Sequence, residues 1–253
     1  MKKKVLITGS TGLLGRRISK FLLDKGWDLL ISGRNINKLE ELRDVLNKGS
    51  KKKVDFVDFD LNDENELKNL DDRLISLGFN ITHLVNNARS LDNLEIGKDG
   101  ITSSDKFMDE FRVNVVSPYL ISIKIANNKK HNLETIVNIG SQYGSVAPNP
   151  NLYENFILES PIQYGVTKSA LHHLTKELAV RLAPSIRVNS IAYGGFKADN
   201  KKEFVDKYSK LNPGKRMLNL EEVGGPVNFL LDSNESSSIN GHTLMADLGW
   251  SIW

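Results

Sequence analysis

Tyr164 and Lys168 stand four residues apart in the stretch Gln163-Tyr164-Gly165-Val166-Thr167-Lys168. On a helix this is one turn, so a phenol and an ammonium face the same way. An ammonium beside a phenol favours the phenolate and lowers a pKa that starts near ~10. A phenol tuned in this way exchanges a proton with an alcohol or a ketone near neutral pH. Taken alone, the spacing describes two surface neighbours equally well. Its meaning depends on what the rest of the chain builds around it.

A second group of residues points to a nucleotide. Gly9, Ser10, Thr11, Gly12, Leu13, Leu14 and Gly15 follow an apolar run, Val5 to Ile7, and open a helical pattern. Gly9 allows a tight turn, Gly12 lets a phosphate approach the backbone, and Gly15 lets helix and strand pack closely. The free N–H groups at such a helix start hold a pyrophosphate. Without a ligand, the same glycines make a plain strand-to-helix turn. The next apolar run ends in Ser32-Gly33-Arg34-Asn35 and lacks the acidic residue that binds the ribose 2′-hydroxyl of NAD. Arg34 is suited to a 2′-phosphate, which favours NADP(H) over NAD(H); a solvated arginine at a strand end is the alternative. Asp60-Leu61 ends a third run. Its carboxylate is placed to accept from an adenine amino group, or to cap the helix that starts near Asn62 and Asp63.

The elements that must position these residues alternate along the chain. Strand-like runs cover Val5 to Ile7, Leu29 to Ser32, Val54 to Phe59, His83 to Asn86, Ile136 to Ile139, Ile186 to Ala192 and His242 to Ala246. Helical spacing recurs between them, with two long patterns over Asp105 to Asn127 and Ile162 to Leu182. Such alternation predicts an α/β fold, a Rossmann-type doubly wound parallel sheet of about seven strands with helices on both faces. No linker rich in Pro, Gly or Ser divides the 253 residues, so one domain is expected over residues 1–253. Ligands of such sheets bind at the carboxyl ends of the strands, where the strand order reverses. The glycine turn, Arg34 and Asp60 all fall at those ends.

Composition narrows the function. Basic and acidic residues nearly balance, 34 against 31, which gives no electrostatic case for nucleic acid. There is no cysteine, which excludes disulfides, a thiol nucleophile and thiolate metal ligands, and the five histidines form no metal motif. The opening apolar run is too short for a signal segment or a membrane span, so a soluble cytoplasmic protein is expected.

Six motifs in a fixed order give the chain a resemblance to the compact short-chain dehydrogenases/reductases. They are the turn at Thr8 to Gly15; Asn86-Asn87-Ala88; Asn114; Gly140-Ser141; Tyr164 to Lys168; and Arg187-Val188-Asn189-Ser190-Ile191 leading into Gly194-Gly195-Phe196. The C-terminal Asn240-Gly241-His242-Thr243-Leu244, with Asp247-Leu248-Gly249-Trp250, matches the family's last strand. By this resemblance Tyr164 is the general acid/base, and Lys168 supports it and binds the nicotinamide ribose. Ser141 polarises the substrate carbonyl, and Asn114 holds a water that links Lys168 to solvent. Asn87, Ala88, Gly194, Gly195 and Phe196 then join the cofactor site. Each has a plainer reading: Ser141 as the cap of a turn, Asn114 as a helix residue bonding its own backbone, Asn87 as a loop brace. The resemblance also implies a homodimer or homotetramer built on the two long helices.

Three departures qualify the resemblance. Two residues separate each successive pair of glycines, as in longer sugar-nucleotide epimerases and dehydratases of the superfamily. Tyr193 replaces the usual proline before Gly194. The segment from Ser141 to Tyr164 is long, and residues 145–161 have the length and apolar content of a substrate lid, or of a packed loop or subunit contact. This insertion resembles that of a bacterial subgroup associated with flagellin modification and legionaminic-type nonulosonic acid synthesis, which implies a small sugar-derived substrate. Residues 196–215 correspond to the family's substrate loop. The other expectations weighed are a 3-oxoacyl reductase and a catalytically silent cofactor-binding sensor or scaffold.

Overall fold

Seven runs rich in Val, Leu and Ile form one sheet. In the computed structural model, which describes residues 3–252, they are β1 (Lys4–Ile7), β2 (Asp28–Gly33), β3 (Val54–Asp58), β4 (His83–Asn86), β5 (Thr135–Ile139), β6 (Arg187–Tyr193) and β7 (Thr243–Ala246). Each predicted strand end falls within one residue of the observed one. The order is β3-β2-β1-β4-β5-β6-β7, with every neighbouring pair parallel. The chain builds outward from β1 to β3 and then returns to place β4 on the other side of β1. That reversal opens a crevice beyond the carboxyl ends of β1 and β4.

The helices are α1 (Leu13–Asp24), α2 (Ile36–Asn47), α3 (Glu64–Ser76), α4 (Ser104–Phe111), α5 (Ser117–Asn127), the short α6 (Phe156–Glu159), α7 (Ile162–Leu182), α8 (Lys202–Leu211), α9 (Gly224–Leu231) and the short α10 (Ser233–Ser236). They cover both faces of the sheet. Val5, Ile7, Leu29 and Ile31 meet Ile18 and Leu22 of α1, Leu39 of α2 and Val227 of α9 in one core. Leu6, Leu30 and Leu84 meet Leu70 and Leu74 of α3, Ile121 of α5 and Leu178 of α7 in the other. Alternate strand residues serve alternate faces, so the strands read as continuous apolar runs. Each fully buried Leu or Ile contributes about 1.5–3 kcal/mol.

Two local expectations are corrected. The helical pattern over Asp105 to Asn127 is not one α-helix: a π-helical turn at Arg112–Val116 separates α4 from α5. Pro118 stands in the first turn of α5, where its missing N–H and its ring are incompatible with an unbroken ladder. Asp60 does not cap α3. Asp63 does, accepting from the N–H groups of Asn65 (2.8 Å) and Glu66 (3.2 Å), while Asp60 holds the N–H of Asn62 (2.9 Å) in the preceding turn.

The segment 145–161 folds as a 3-10 turn, Pro150–Leu152, followed by α6. Leu152, at 2% exposure, packs with Tyr208 of α8, Met217 and Trp250 in a third, smaller core. Residues 196–215 contain α8, so the insertion and the substrate-loop segment are packed against each other. Among the described residues no helix is long and apolar enough to cross a membrane.

Candidate active site

The glycine turn is built by steric necessity. Gly9 has φ +65°, and a Cβ there would lie 2.6 Å from Cα of Ala88. A Cβ on Gly15 would collide with the carbonyl oxygen of Gly9. Asn87 locks this turn to the end of β4: its Nδ2 donates to the carbonyls of Thr8 (2.9 Å) and Gly9 (3.2 Å). Thr8 Oγ1 in turn accepts from the N–H groups of Asn87 (3.0 Å) and Ala88 (3.1 Å). Gly12 begins α1 with no side-chain cap, which leaves the first helical N–H groups facing the crevice.

A cavity of about 570 Å³ starts at this turn, and Arg34 and Asp60 line the same end. It continues past Leu61, Asn87 and Ala88 to Ser141, Tyr164 and Lys168. Gly194, Gly195 and Phe196 also line it, and its far end is walled by Tyr143, Tyr153, Phe204 and Tyr208. Thr11, Leu13 and Leu14 line the nucleotide end with the glycines. Three predicted residues lie off the cavity. Ser10 is fully buried, donating to Ile7 O (2.7 Å) and accepting from Ser32 N (3.1 Å). Asn35 caps α2 by accepting from Lys38 N (3.0 Å). Asn114 lies behind α7, and its Nδ2 donates to Glu110 Oε1 (2.7 Å) and Thr167 Oγ1 (3.0 Å).

Ser141 leaves the end of β5, and its Oγ accepts from Tyr143 N at 3.2 Å. The hydroxyl proton of Ser141 remains free to point into the cavity. Lys168 is 4% exposed, and its Nζ donates to Ile139 O at 2.8 Å and lies 5.9 Å from the centre of the Tyr164 ring. Burial, reinforced by the nearby charge of Arg89, pushes its ammonium down to about 7, against an opposing pull from Glu110. Thr167 ties the cluster together, donating to Tyr164 O at 3.1 Å while accepting from Asn114.

The model of the short chain dehydrogenase family matches residues 3–209. The chain belongs to this family. Among curated relatives it is 28% identical, over 99% of this chain and 98% of the other, to post-translational flagellin modification protein A of Campylobacter coli. It is 31% identical to L-xylulose reductase of Caenorhabditis elegans, covering 98% and 96% of the two chains. Gluconate 5-dehydrogenase from Burkholderia cenocepacia, solved in complex with NADP and tartrate, shares the fold with a TM-score of 0.86 at 24% identity, covering 99% of this chain and 96% of that one.

A short-chain dehydrogenase is an oxidoreductase working with a nicotinamide cofactor, and this site is shaped for one. The open helix start, the glycines with no room for a side chain and the size of the cavity all fit a dinucleotide with space beyond it. Gly9, Gly12 and the N-terminus of α1 would hold the pyrophosphate, Arg34 and Asp60 the adenosine end, and Lys168 the ribose next to the nicotinamide.

The sequence reading missed several residues here. Arg89 directly follows Asn86-Asn87-Ala88, and its guanidinium carbon lies 5.3 Å from the centre of the Tyr164 ring. Its position at the end of β4 was the available signal. Tyr143 and Tyr153 bring their hydroxyls within 3.4 Å of each other, and burial pushes the Tyr143 phenol far up, so it stays protonated. Tyr208 accepts from Gly195 N (2.8 Å) and donates to Gln142 Oε1 (3.0 Å), which fastens α8 to the ends of β5 and β6. No sequence spacing links Tyr208 to those partners.

Proposed function

We propose that the protein is an NADP(H)-dependent oxidoreductase that moves a hydride between the nicotinamide and a carbonyl or hydroxyl carbon of a small, sugar-derived substrate. The observation carrying this reading is that Ser141, Tyr164 and Lys168 share one cavity with the glycine turn. In reduction the bound cofactor supplies the hydride. Ser141 donates a hydrogen bond to the carbonyl oxygen and stabilises the charge that develops there. Tyr164 passes its phenolic proton to that oxygen, completing the alcohol. The Lys168 ammonium steadies the phenol oxygen and orients the ribose. Asn114, whose buried Oδ1 has no partner among the described residues, is the acceptor for a water that reconnects Lys168 to solvent.

The far end of the cavity supports the substrate class. Its aromatic rings suit the C–H faces of a sugar, and the Tyr143 and Tyr153 hydroxyls suit its polar rim. Arg89, whose guanidinium lies beside the Tyr164 ring, is placed to receive a carboxylate or phosphate. A relative named for L-xylulose reduction and another named for flagellin modification are compatible with a step in the synthesis of a nonulosonic acid or another surface-glycan precursor. Residues 145–161 act as the lid over this end. Met108, Tyr119, Ile162 and Val166 are exposed on α4, α5 and α7 and form the contact of a homodimer or homotetramer.

The test is nicotinamide fluorescence on titrating NADPH, followed by turnover with neutral ketoses, keto sugar acids, sugar phosphates and a 3-oxoacyl thioester. Turnover of the acidic or phosphorylated sugars is expected. Preference for the thioester would replace the substrate class, and NADPH binding without turnover of any carbonyl would mark a silent cofactor-binding sensor.

A further inference from the structure

Glu110 has 0% exposure, on α4 one turn before Asn114. Its Oε1 accepts from Asn114 Nδ2 at 2.7 Å, and its Oε2 has no hydrogen-bond partner among the described residues. Among the described residues no lysine or arginine nitrogen pairs with it, its one hydrogen bond coming from Asn114. A carboxylate buried in this way is strongly disfavoured unless a charge nearby compensates it, and a leucine would fill the space without that penalty.

The compensating charge is close at hand. Lys168 is equally enclosed, and its hydrogen bond goes to a neutral carbonyl, Ile139 O. The carboxylate and the ammonium are therefore two buried groups of opposite charge, and Asn114, which donates to Glu110, also donates at 3.0 Å to Thr167, the residue that precedes Lys168 on α7. The groups that face Glu110 are Lys168 from α7, Arg89 from the end of β4, and the amides of Asn93 and Asn114. Those that face Lys168 are Arg89, Glu110, His172 and Tyr164. Among the described residues, Glu110 is the carboxylate whose charge acts on Lys168.

We propose that Glu110 is a positioning residue that supplies the counter-charge for the Lys168 ammonium and, by taking one N–H of Asn114, fixes the amide behind the catalytic helix. The electrostatics run the same way: burial raises the Glu110 carboxyl above its ordinary range and lowers the Lys168 ammonium, and in each case the charge of the other group opposes the shift. The catalytic consequence rests on the role of Lys168 stated above; the charge pairing does not.

Glu110→Gln keeps the side-chain length and an oxygen for Asn114 but removes the charge. Lysine-labelled protein without cofactor, titrated by NMR with Lys168 assigned through Lys168→Arg, reads the ammonium directly. Removing an opposite charge should lower the Lys168 midpoint by about one pH unit. The alkaline limb of kcat/KM should move down with it, so that activity above the limb falls about tenfold at a given pH. Glu110→Asp, which keeps the charge, should hold the midpoint near the native value. A midpoint unmoved in Glu110→Gln, or moved equally in Glu110→Asp, overturns the proposal. If the Gln variant does not fold, Glu110→Leu is read in the same titration against the same criteria. A shifted midpoint with an unshifted rate profile would leave the pairing standing and fail the assigned role of Lys168.

Discussion

Tyr164 has an ammonium from its own helix and a guanidinium beside its ring, and it shares its cavity with a serine from the end of β5. Removing the phenolic oxygen alone should therefore isolate the proton transfer. Tyr164→Phe is expected to lower kcat by about 10²–10⁴-fold with NADPH affinity essentially kept, measured by fluorescence titration beside steady-state rates. Near-native turnover would sink the acid/base assignment. At the other end of the cavity Arg34 is more than half exposed and lies 3.9 Å from Asp60, a loose pair that a 2′-phosphate would outcompete. Arg34→Ala should weaken NADPH by about 10–100-fold through the loss of charge-assisted hydrogen bonds and leave NADH almost unchanged. Equal weakening of both cofactors would refute the 2′-phosphate role.

The elements divide the site into a rigid half and a packed, separable half. The rigid half is held by strand ends: β1 carries the glycine turn, β4 carries Asn87, and β5 carries Ser141. The separable half is the meeting of residues 145–161 with α8, sealed by Leu152, Tyr208, Met217 and Trp250. Leu152→Ala leaves a cavity in that small core, at a cost of about 2–5 kcal/mol. Because the core adjoins the substrate end of the cavity, KM for the carbonyl substrate should rise while the NADPH dissociation constant stays near its native value. A parallel loss of NADPH affinity would show that the two halves are not separable. This division also explains what was legible in the sequence. Strand ends follow from short apolar runs, which the chain displays openly. The break at Arg112–Val116 was signalled by Pro118 alone, and a long apolar pattern masked it. The hydrogen bonds from Tyr208 to Gly195 and Gln142 and the burial of Glu110 depend on chain crossings with no local signature. Ser141 shows that two readings of one residue can both hold: it caps a turn and it lines the cavity.

For the whole molecule, the cost of folding a sheet with both faces covered is that histidines are enclosed with it. His83 at the start of β4 and His172 in α7 are both buried, and burial pushes each imidazole down to about 4. His172 lies against Gly140 and Gly144, where a Cβ on either glycine would meet the ring, so it has no room to move toward solvent. His131 is also pushed down by burial, although Asp71 opposes the shift. Unfolded imidazoles take up a proton near pH 6.5, whereas the folded His83 and His172 resist it until about pH 4. Below pH 6.5 the unfolded chain therefore binds more protons than the folded one, and stability falls as the pH falls through that window. Each buried histidine costs up to about 3 kcal/mol by pH 4, so the pair rivals the whole stability of an ordinary domain. Glu222, held down to about 2 by Arg216, adds to the fall in the same direction, but only at the acid end of the window, where the unfolded carboxylate begins to take up a proton. The melting temperature should drop progressively from pH 7 to pH 4.5, and His83→Gln should remove about half of the pH dependence of unfolding free energy. A melting temperature that stays flat over this range, or a slope that His83→Gln leaves untouched, would mean that the enclosed imidazoles accept protons without unfolding the sheet around them.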